Sequence, residues 1–247
     1  MTEKVAYLGF RKDEFRYTNV RHLIREASTY EIKVEGSVIL GDKVYLGHGV
    51  TIGENTTIGN NVAIGSHTYI HGSTEIKDDV IIGDEVKIYP NSKIGEGTII
   101  GDRTTARETL KTGKDCKIGN DVTILEHCSI SNDVVVGSHV NLHSFVKLKN
   151  NSVIGCGITL FYGAEIKTGW EVNYILHRSF GDNHFVSGFY IKDELYIQMG
   201  CYTRTLEMWN KYVWDEEDKY PKGTPENEER RKYYEMVKSM MLAKEKE

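Results

Sequence analysis

Residues 57–100 read TIGNNVAIGSHTYIHGSTEIKDDVIIGDEVKIYPNSKIGEGTII. Within them Ile58, Ile64, Ile70, Ile76, Ile82, Ile88, Ile94 and Ile100 recur at every sixth residue. The series reaches back through Ile52, Leu46 and Leu40 to Val34. It resumes in the same register at Ile118 and runs through Ile124, Ile130, Val136, Leu142, Leu148, Ile154, Leu160 and Ile166 to Val172. Of these 24 positions 22 hold Ile, Leu or Val, and only Ala106 and Thr112 break the series. Two residues before each aliphatic stands a small or β-branched one, as at Val44, Val50, Thr56, Val62, Thr68, Thr74 and Val80, and glycine often follows it. Neither a helix (period 3.6) nor a half-buried strand (period 2) produces a period of six.

A period of six fits a triangular solenoid. Each short strand forms one side, a turn follows, and three sides close a coil of about 18 residues. Large aliphatic side chains then stack inside, and the small residues leave room for them at close-packed density. Eight coils at roughly 4.8 Å each make a prism about 40 Å long.

The unit L/I/V-G-x-x-(small)-x resembles the hexapeptide repeat of the left-handed parallel β-helix superfamily. That resemblance implies a mainly β fold, a left-handed parallel β-helix of about eight coils. It also supplies the handedness, since the general crossover rule favours the right-handed sense. The expected organisation is an N-terminal cap at 1–33, the β-helix at 34–172 and a small α+β module at 173–247.

The chain has 247 residues and a net charge of −5, which gives no electrostatic reason to expect a nucleic-acid partner. No apolar run nears the roughly 20 residues that cross a membrane, so no membrane partner is expected. MTEKVAYLGFRKDEFRY lacks the apolar centre of a signal peptide, and a cytoplasmic location is expected. Cys116 and Cys128 fall at small inward positions, and Cys156 and Cys201 lie elsewhere. None has metal-ligand spacing, so free thiols and no metal are expected.

In the cap, Val5 to Phe10 suits a strand. Thr18 or Asn19 suits the start of a helix through Ala27, with Val20, Leu23, Ile24 and Ala27 on one face. A solenoid end needs such a cover over its core and strand edges. The lapse GDRTTARETLKTGKDCK at 101–117 spans one coil length, and is either an irregular coil or a loop leaving the prism. After Val172 the period stops, and Trp170 in a small-residue position marks the end. HFVSGFYI and ELYIQMGCY predict a hairpin around Lys192-Asp193, and TLEMWNKYVW a short helix. Thr224-Pro225 with Glu228 predicts a helix start, continuing to about Ala243 with Tyr233, Val237, Met240 and Met241 as its apolar stripe.

Residues 18 apart stack, so the sequence can be sorted into columns. One edge combines Gly47, Gly65, Gly83, Gly101, Gly119, Gly137 and Gly155 with Asn61, Asp79, Gly97, Asp115, Asp133 and Asn151. A second combines Gly59, Lys77, Gly95, Gly113, Ser131 and Lys149 with Asn55, Ser73, Asn91, Thr109, His127 and Phe145. A third carries His67, Glu85, Arg103, Asp121 and His139 beside His71, Tyr89, Arg107, Leu125, His143 and Phe161. Turn sterics favour Gly or Asn at such corners, so ionisable side chains there need another reason. The third edge is therefore the expected binding groove.

The stretch ARETLKTGKDCKIGNDVTILEHCSIS is similar to the T-L-x-x-x-G-x-x-I-G-x-x-x-T-I stretch of nucleotide-sugar 3-amino-sugar N-acetyltransferases. Thr109, Leu110, Gly113, Ile118, Gly119, Thr123 and Ile124 carry it. TYIHGSTEIKDDVIIG resembles an upstream stretch of that family through Asp78, Asp79, Val80 and Gly83. The resemblance implies a homotrimer with clefts between prisms, acetyl-CoA as donor, and a small-molecule acceptor such as a nucleotide sugar. His67, His143 and His127 are then the candidate general bases, because imidazole titrates near neutrality. His71, Glu85, Tyr89, Arg103, Arg107, Asp121 and His139 are candidate substrate contacts. Gly113 and Gly119 would let the donor approach the backbone. The family's D-V-P…G-N-P-A tail has no counterpart among Pro90, Pro221 and Pro225.

His48 alone stands four residues before a core aliphatic, as the base does in lipid A acyltransferases. The γ-class carbonic anhydrase run fails, because Gly53 stands where its second His belongs. The C-terminal module is similar to tails of phage-encoded hexapeptide proteins. The rival expectation is thus a non-catalytic trimeric solenoid that binds or sequesters a nucleotide-like ligand.

Overall fold

The computed structural model describes residues 3–9, 13–17, 20–180, 184–191, 194–199, 202–211 and 223–244. The chain forms two compact units, residues 1–170 and 171–247. Thr18, Asn19, Lys192, Asp193, Cys201 and Pro221 lie outside the described residues.

In the first unit the six-residue period becomes a left-handed parallel β-helix. Most of its strands are two residues long, the first pointing outward and the second inward, as at Thr57–Ile58, Tyr69–Ile70 and Ile81–Ile82. Strands one coil apart pair in parallel and in register, so Ile76 lies between Ile58 and Ile94. Backbone N–H groups donate one coil on, as from Gly59 to Ile76 (2.9 Å) and from Tyr69 to Val86 (2.8 Å). Three faces result. Face 1 contains Ala63–Ile64 and Ile81–Ile82, face 2 contains Tyr69–Ile70 and Lys87–Ile88, and face 3 contains Thr57–Ile58 and Glu75–Ile76. Faces 2 and 3 hold eight strands each. The inward aliphatics are buried, with Ile52, Ile64, Ile70, Ile88 and Ile94 at 0% exposure.

The lapse at 101–117 is a coil, not a loop. Thr105–Ala106 and Lys111–Thr112 pair with both neighbouring coils. Ala106 is buried at its inward place. Thr112 turns its hydroxyl to the ladder, and Gly95 N–H donates to Oγ1 (2.9 Å). The parallel ladder sets the coil here, and it needs no large aliphatic to do so.

The cap contains strand Lys4–Leu8, which pairs in parallel with Val44–Leu46 and antiparallel with Asp13–Tyr17, a strand the hydropathy pattern left unassigned. Helix Val20–Ala27 buries Leu23 and Ala27.

In the second unit, strands Glu171–Phe180, His184–Ile191, Glu194–Met199 and Tyr202–Thr205 form an antiparallel meander. The first of these, beginning where the period stops, is not among the predicted elements. Helix Leu206–Asn210 is capped by Thr205, and Trp209 is buried with its Nε1–H on Ile197 O at 2.7 Å. Helix Pro225–Lys244 packs Tyr234, Val237 and Met241 into the unit's core. Met240, expected on that stripe, is exposed, because the 3.6 period passes through 234, 237 and 241.

Candidate active site at the second corner

From Lys43 to Gly169 each six-residue step has one left-handed residue in its turn, and the non-glycine ones have φ of 54–64°. All three corners are built this way, so side chains at left-handed positions do not single out one edge. The strand phase also regroups the columns. Gly65, Ser66 and His67 share one turn, between faces 1 and 2 (the first corner). His71, Gly72 and Ser73 share the next, between faces 2 and 3 (the second corner). His67 and His71 are thus opposite ends of one strand, and the expected third edge is the two margins of face 2.

The first corner brings together His67, Glu85, Arg103, Asp121 and His139. Arg103 donates to Asp121 from Nε (2.7 Å) and Nη2 (2.9 Å), and His139 Nδ1 lies 3.8 Å from the same carboxylate. The Arg103 guanidinium holds the Asp121 carboxyl below its usual range. Arg103 and Asp121, opposite in sign on adjacent coils, satisfy one another. His67 meets His48 edge-on at 5.7 Å. Gly49 (φ +70°) has no room for a side chain, since a Cβ there would sit 2.7 Å from His67 Nδ1. His67 also adjoins two hollows, of about 430 Å³ beside Ser28, Glu31 and Lys33 and about 520 Å³ over Glu85, Lys87 and Arg103.

The second corner is aromatic and ionisable. Tyr69, His71 and Tyr89 follow one another at 4.5 Å ring spacings, and the Arg107 guanidinium lies 4.7 Å over Tyr89. Burial pushes the His71 imidazole below its ordinary value, against the opposing pull of Glu108. Further along, His143 packs on Phe161 (5.2 Å), and His127 on Phe145 (4.8 Å), which meets Tyr162 (5.3 Å). Phe145 and Tyr162 are 43% and 63% exposed, so this aromatic end faces solvent. Between the two groups lies Leu125, next to Glu126. Its own backbone N–H and the Ser144 hydroxyl (2.8 Å) hold the Glu126 carboxyl below its usual range, with Arg107 and His127 adding to the effect. His127 Nδ1 lies 2.7 Å from Thr109 Oγ1.

His127 and His143 therefore stand in adjacent coils of one corner, and His67 in another. Gly113 lies at the corner between faces 3 and 1 and Gly119 at the first corner beside Asp121, and a Cβ at either would strike the next coil, at Asn132 and at the Gly137–Ser138 backbone. That coil accounts for their missing side chains. Glu126, Ser144, Thr109 and Phe145 were not singled out as site residues. Thr109 and Phe145 share a sequence column whose corner depends on the strand phase, and Glu126 and Ser144 fall in none of the sorted columns.

The six-repeat pattern of the bacterial transferase hexapeptide family matches residues 37–72 and 73–105. Residues 37–105 are thus similar to that family's repeat. No curated protein matches the chain. Among solved structures, a mutant perosamine N-acetyltransferase from Caulobacter crescentus, in complex with CoA and GDP-perosamine, is 20% identical (TM-score 0.33) over 48% of this chain and 60% of its own. A UDP-N-acetylglucosamine acyltransferase from Francisella novicida is 21% identical (TM-score 0.30), over 58% and 63%. The acetyltransferase domain of PglB from Neisseria gonorrhoeae is 14% identical (TM-score 0.38), over 62% and 62%. The chain thus spans less than two thirds of each. Among its described residues, no group of three His, Cys, Asp or Glu side chains is placed to hold a metal ion. No described helix is long and apolar enough to cross a membrane.

Proposed function

We propose that this chain is a β-helix acyltransferase that moves an acetyl group from acetyl-CoA to the amine of an amino sugar or nucleotide sugar. The observation that carries this reading is the second-corner cluster. There an exposed imidazole, His127, stands beside a carboxylate held ionised, Glu126, with His143 on the adjoining coil. A neutral imidazole accepts the amine proton as nitrogen attacks the thioester carbonyl. Glu126 then stabilises the imidazolium, and the tetrahedral intermediate collapses with loss of the coenzyme A thiolate, which takes up the proton. His127 and His143 are the first candidates for the base, and His67 the third.

Arg107 suits a phosphate of either substrate better than Arg103, whose fork is already closed on Asp121. The corner is open, so a second copy is needed to enclose a substrate. Ile81, Ile99 and Val135, which project from face 1 into solvent, suit contact with such a copy in a homotrimer.

The test is a melting-temperature screen with acetyl-CoA, nucleotides and nucleotide sugars, followed by a thiol-release assay with any acceptor that stabilises. Stabilisation by acetyl-CoA and turnover lost in His127→Ala or His143→Ala are expected. A shift with nucleotides alone, without acetyl transfer, would instead favour a sequestering solenoid.

A further inference from the structure

Thr109 occupies a left-handed turn position, φ +62°, in a column where Asn55, Asn91 and Gly163 supply the residues that such turns prefer. A β-branched residue is a poor choice for that backbone. Its hydroxyl is fully engaged. Oγ1 lies 2.6 Å from the Glu108 carbonyl oxygen, which can only accept, so the single hydroxyl proton is donated there. The oxygen has two lone pairs left. One takes a share of the His127 backbone N–H at 3.2 Å, an N–H that also donates to the Glu108 carbonyl at 3.1 Å, and the other faces His127 Nδ1 at 2.7 Å. With its proton committed, Oγ1 can only accept from Nδ1, and Nδ1 must carry hydrogen. The neutral ring then has its lone pair on Nε2.

We infer that Thr109 is a positioning residue that holds His127 in the Nδ1–H tautomer and so leaves Nε2 as the proton acceptor. This rests on the acyltransferase reading only for its use in turnover; the tautomer itself follows from hydrogen-bond geometry. His139 and His48 differ, because they face carboxylates, Asp121 at 3.8 Å and Glu31 at 3.9 Å. A carboxylate has no proton to commit, whereas a hydroxyl becomes acceptor-only once its proton is donated elsewhere. The charged groups around His127 are Glu126 and, through it, Arg107.

The experiment is nitrogen–proton correlation NMR of the full chain labelled with ¹⁵N-histidine, on wild type, Thr109→Val and Thr109→Ser. Val keeps the shape and removes the hydroxyl, and melting curves check that both variants are folded. Wild type and the Ser variant are expected to show His127 protonated on Nδ1, and the Val variant to release the ring to Nε2–H. Turnover should fall by about 10- to 100-fold in the Val variant, mainly in kcat, and return with Ser. A wild-type His127 protonated on Nε2, or a tautomer unchanged by Thr109→Val, overturns the inference. A tautomer that behaves as stated in a protein that transfers no acetyl group leaves the positioning intact and removes the enzymatic reading instead.

Discussion

Arg103 grips Asp121, its counterpart one coil on, with two hydrogen bonds of 2.7 and 2.9 Å, and His139 approaches the same carboxylate from the following coil. Arg103 and Asp121 therefore neutralise one another across one coil step, and the pair is held within the column. It belongs to the scaffold more than to a ligand.

A pH dependence follows from that pairing. Hydrogen bonding and charge from Arg103 hold the Asp121 carboxyl below its unfolded value of about 3.9. A lowered native value means the stabilisation is present above the unfolded value and fades as pH falls through the native one. Asp121→Asn should lower the melting temperature at pH 7, and the gap to wild type should close in acid. An equal gap at pH 7 and at about pH 2 would contradict this, and added salt should narrow the gap at neutral pH.

Core truncation should separate inward from outward strand positions. Ile88 points inward and is fully buried, so Ile88→Ala should cost about 2–5 kcal/mol in denaturant unfolding. Ile81 points outward from face 1, and Ile81→Ala should change monomer stability by about 0.5 kcal/mol or less. Similar losses at both sites would contradict the inward–outward assignment.

Glycines differ in what surrounds them. A Cβ at Gly95 would press into the Gly113 carbonyl, backbone against backbone, while one at Gly36 meets nothing. Gly95→Ala should destabilise by about 1–3 kcal/mol. Gly36→Ala should stay within about 0.5 kcal/mol of wild type in the same urea titration.

Thiol reactivity should follow burial. Burial pushes the Cys128 thiol up to about 11 and raises Cys116 as well, while Cys156 is exposed. Alkylation of the native chain at pH 7.5, mapped by mass spectrometry, should mark Cys156 and spare Cys116 and Cys128 until the protein is unfolded. Early labelling of Cys128 would mean that its coil opens.

The aliphatic period made the coils legible because stacking imposes one residue type at every sixth place. The lapse at Ala106 and Thr112 could not be resolved from hydropathy, since strand pairing holds that coil. Corner membership was harder still. His67 and His71 are four residues apart, yet sit at opposite ends of a strand. His71 and Ser73, two apart, share a turn. Only the phase of the two-residue strands decides this, and it moves His127 and Phe145 beside His143 and Phe161. Glu126 escaped notice because its importance comes from Ser144 on the next coil, not from its own sequence neighbours.

On face 3, every described step after a strand is closed by a backbone carbonyl, from Gly41 to Ile58 through Lys149 to Ile166, except at Gly95. Gly95 hands its N–H to the Thr112 side chain instead. Cohesion in a solenoid is a sum over neighbouring coils, so its weakest step sets where it parts. Under axial tension this spring should give between Gly95 and Thr112, dividing the β-helix into two shorter pieces that each keep their own ladder.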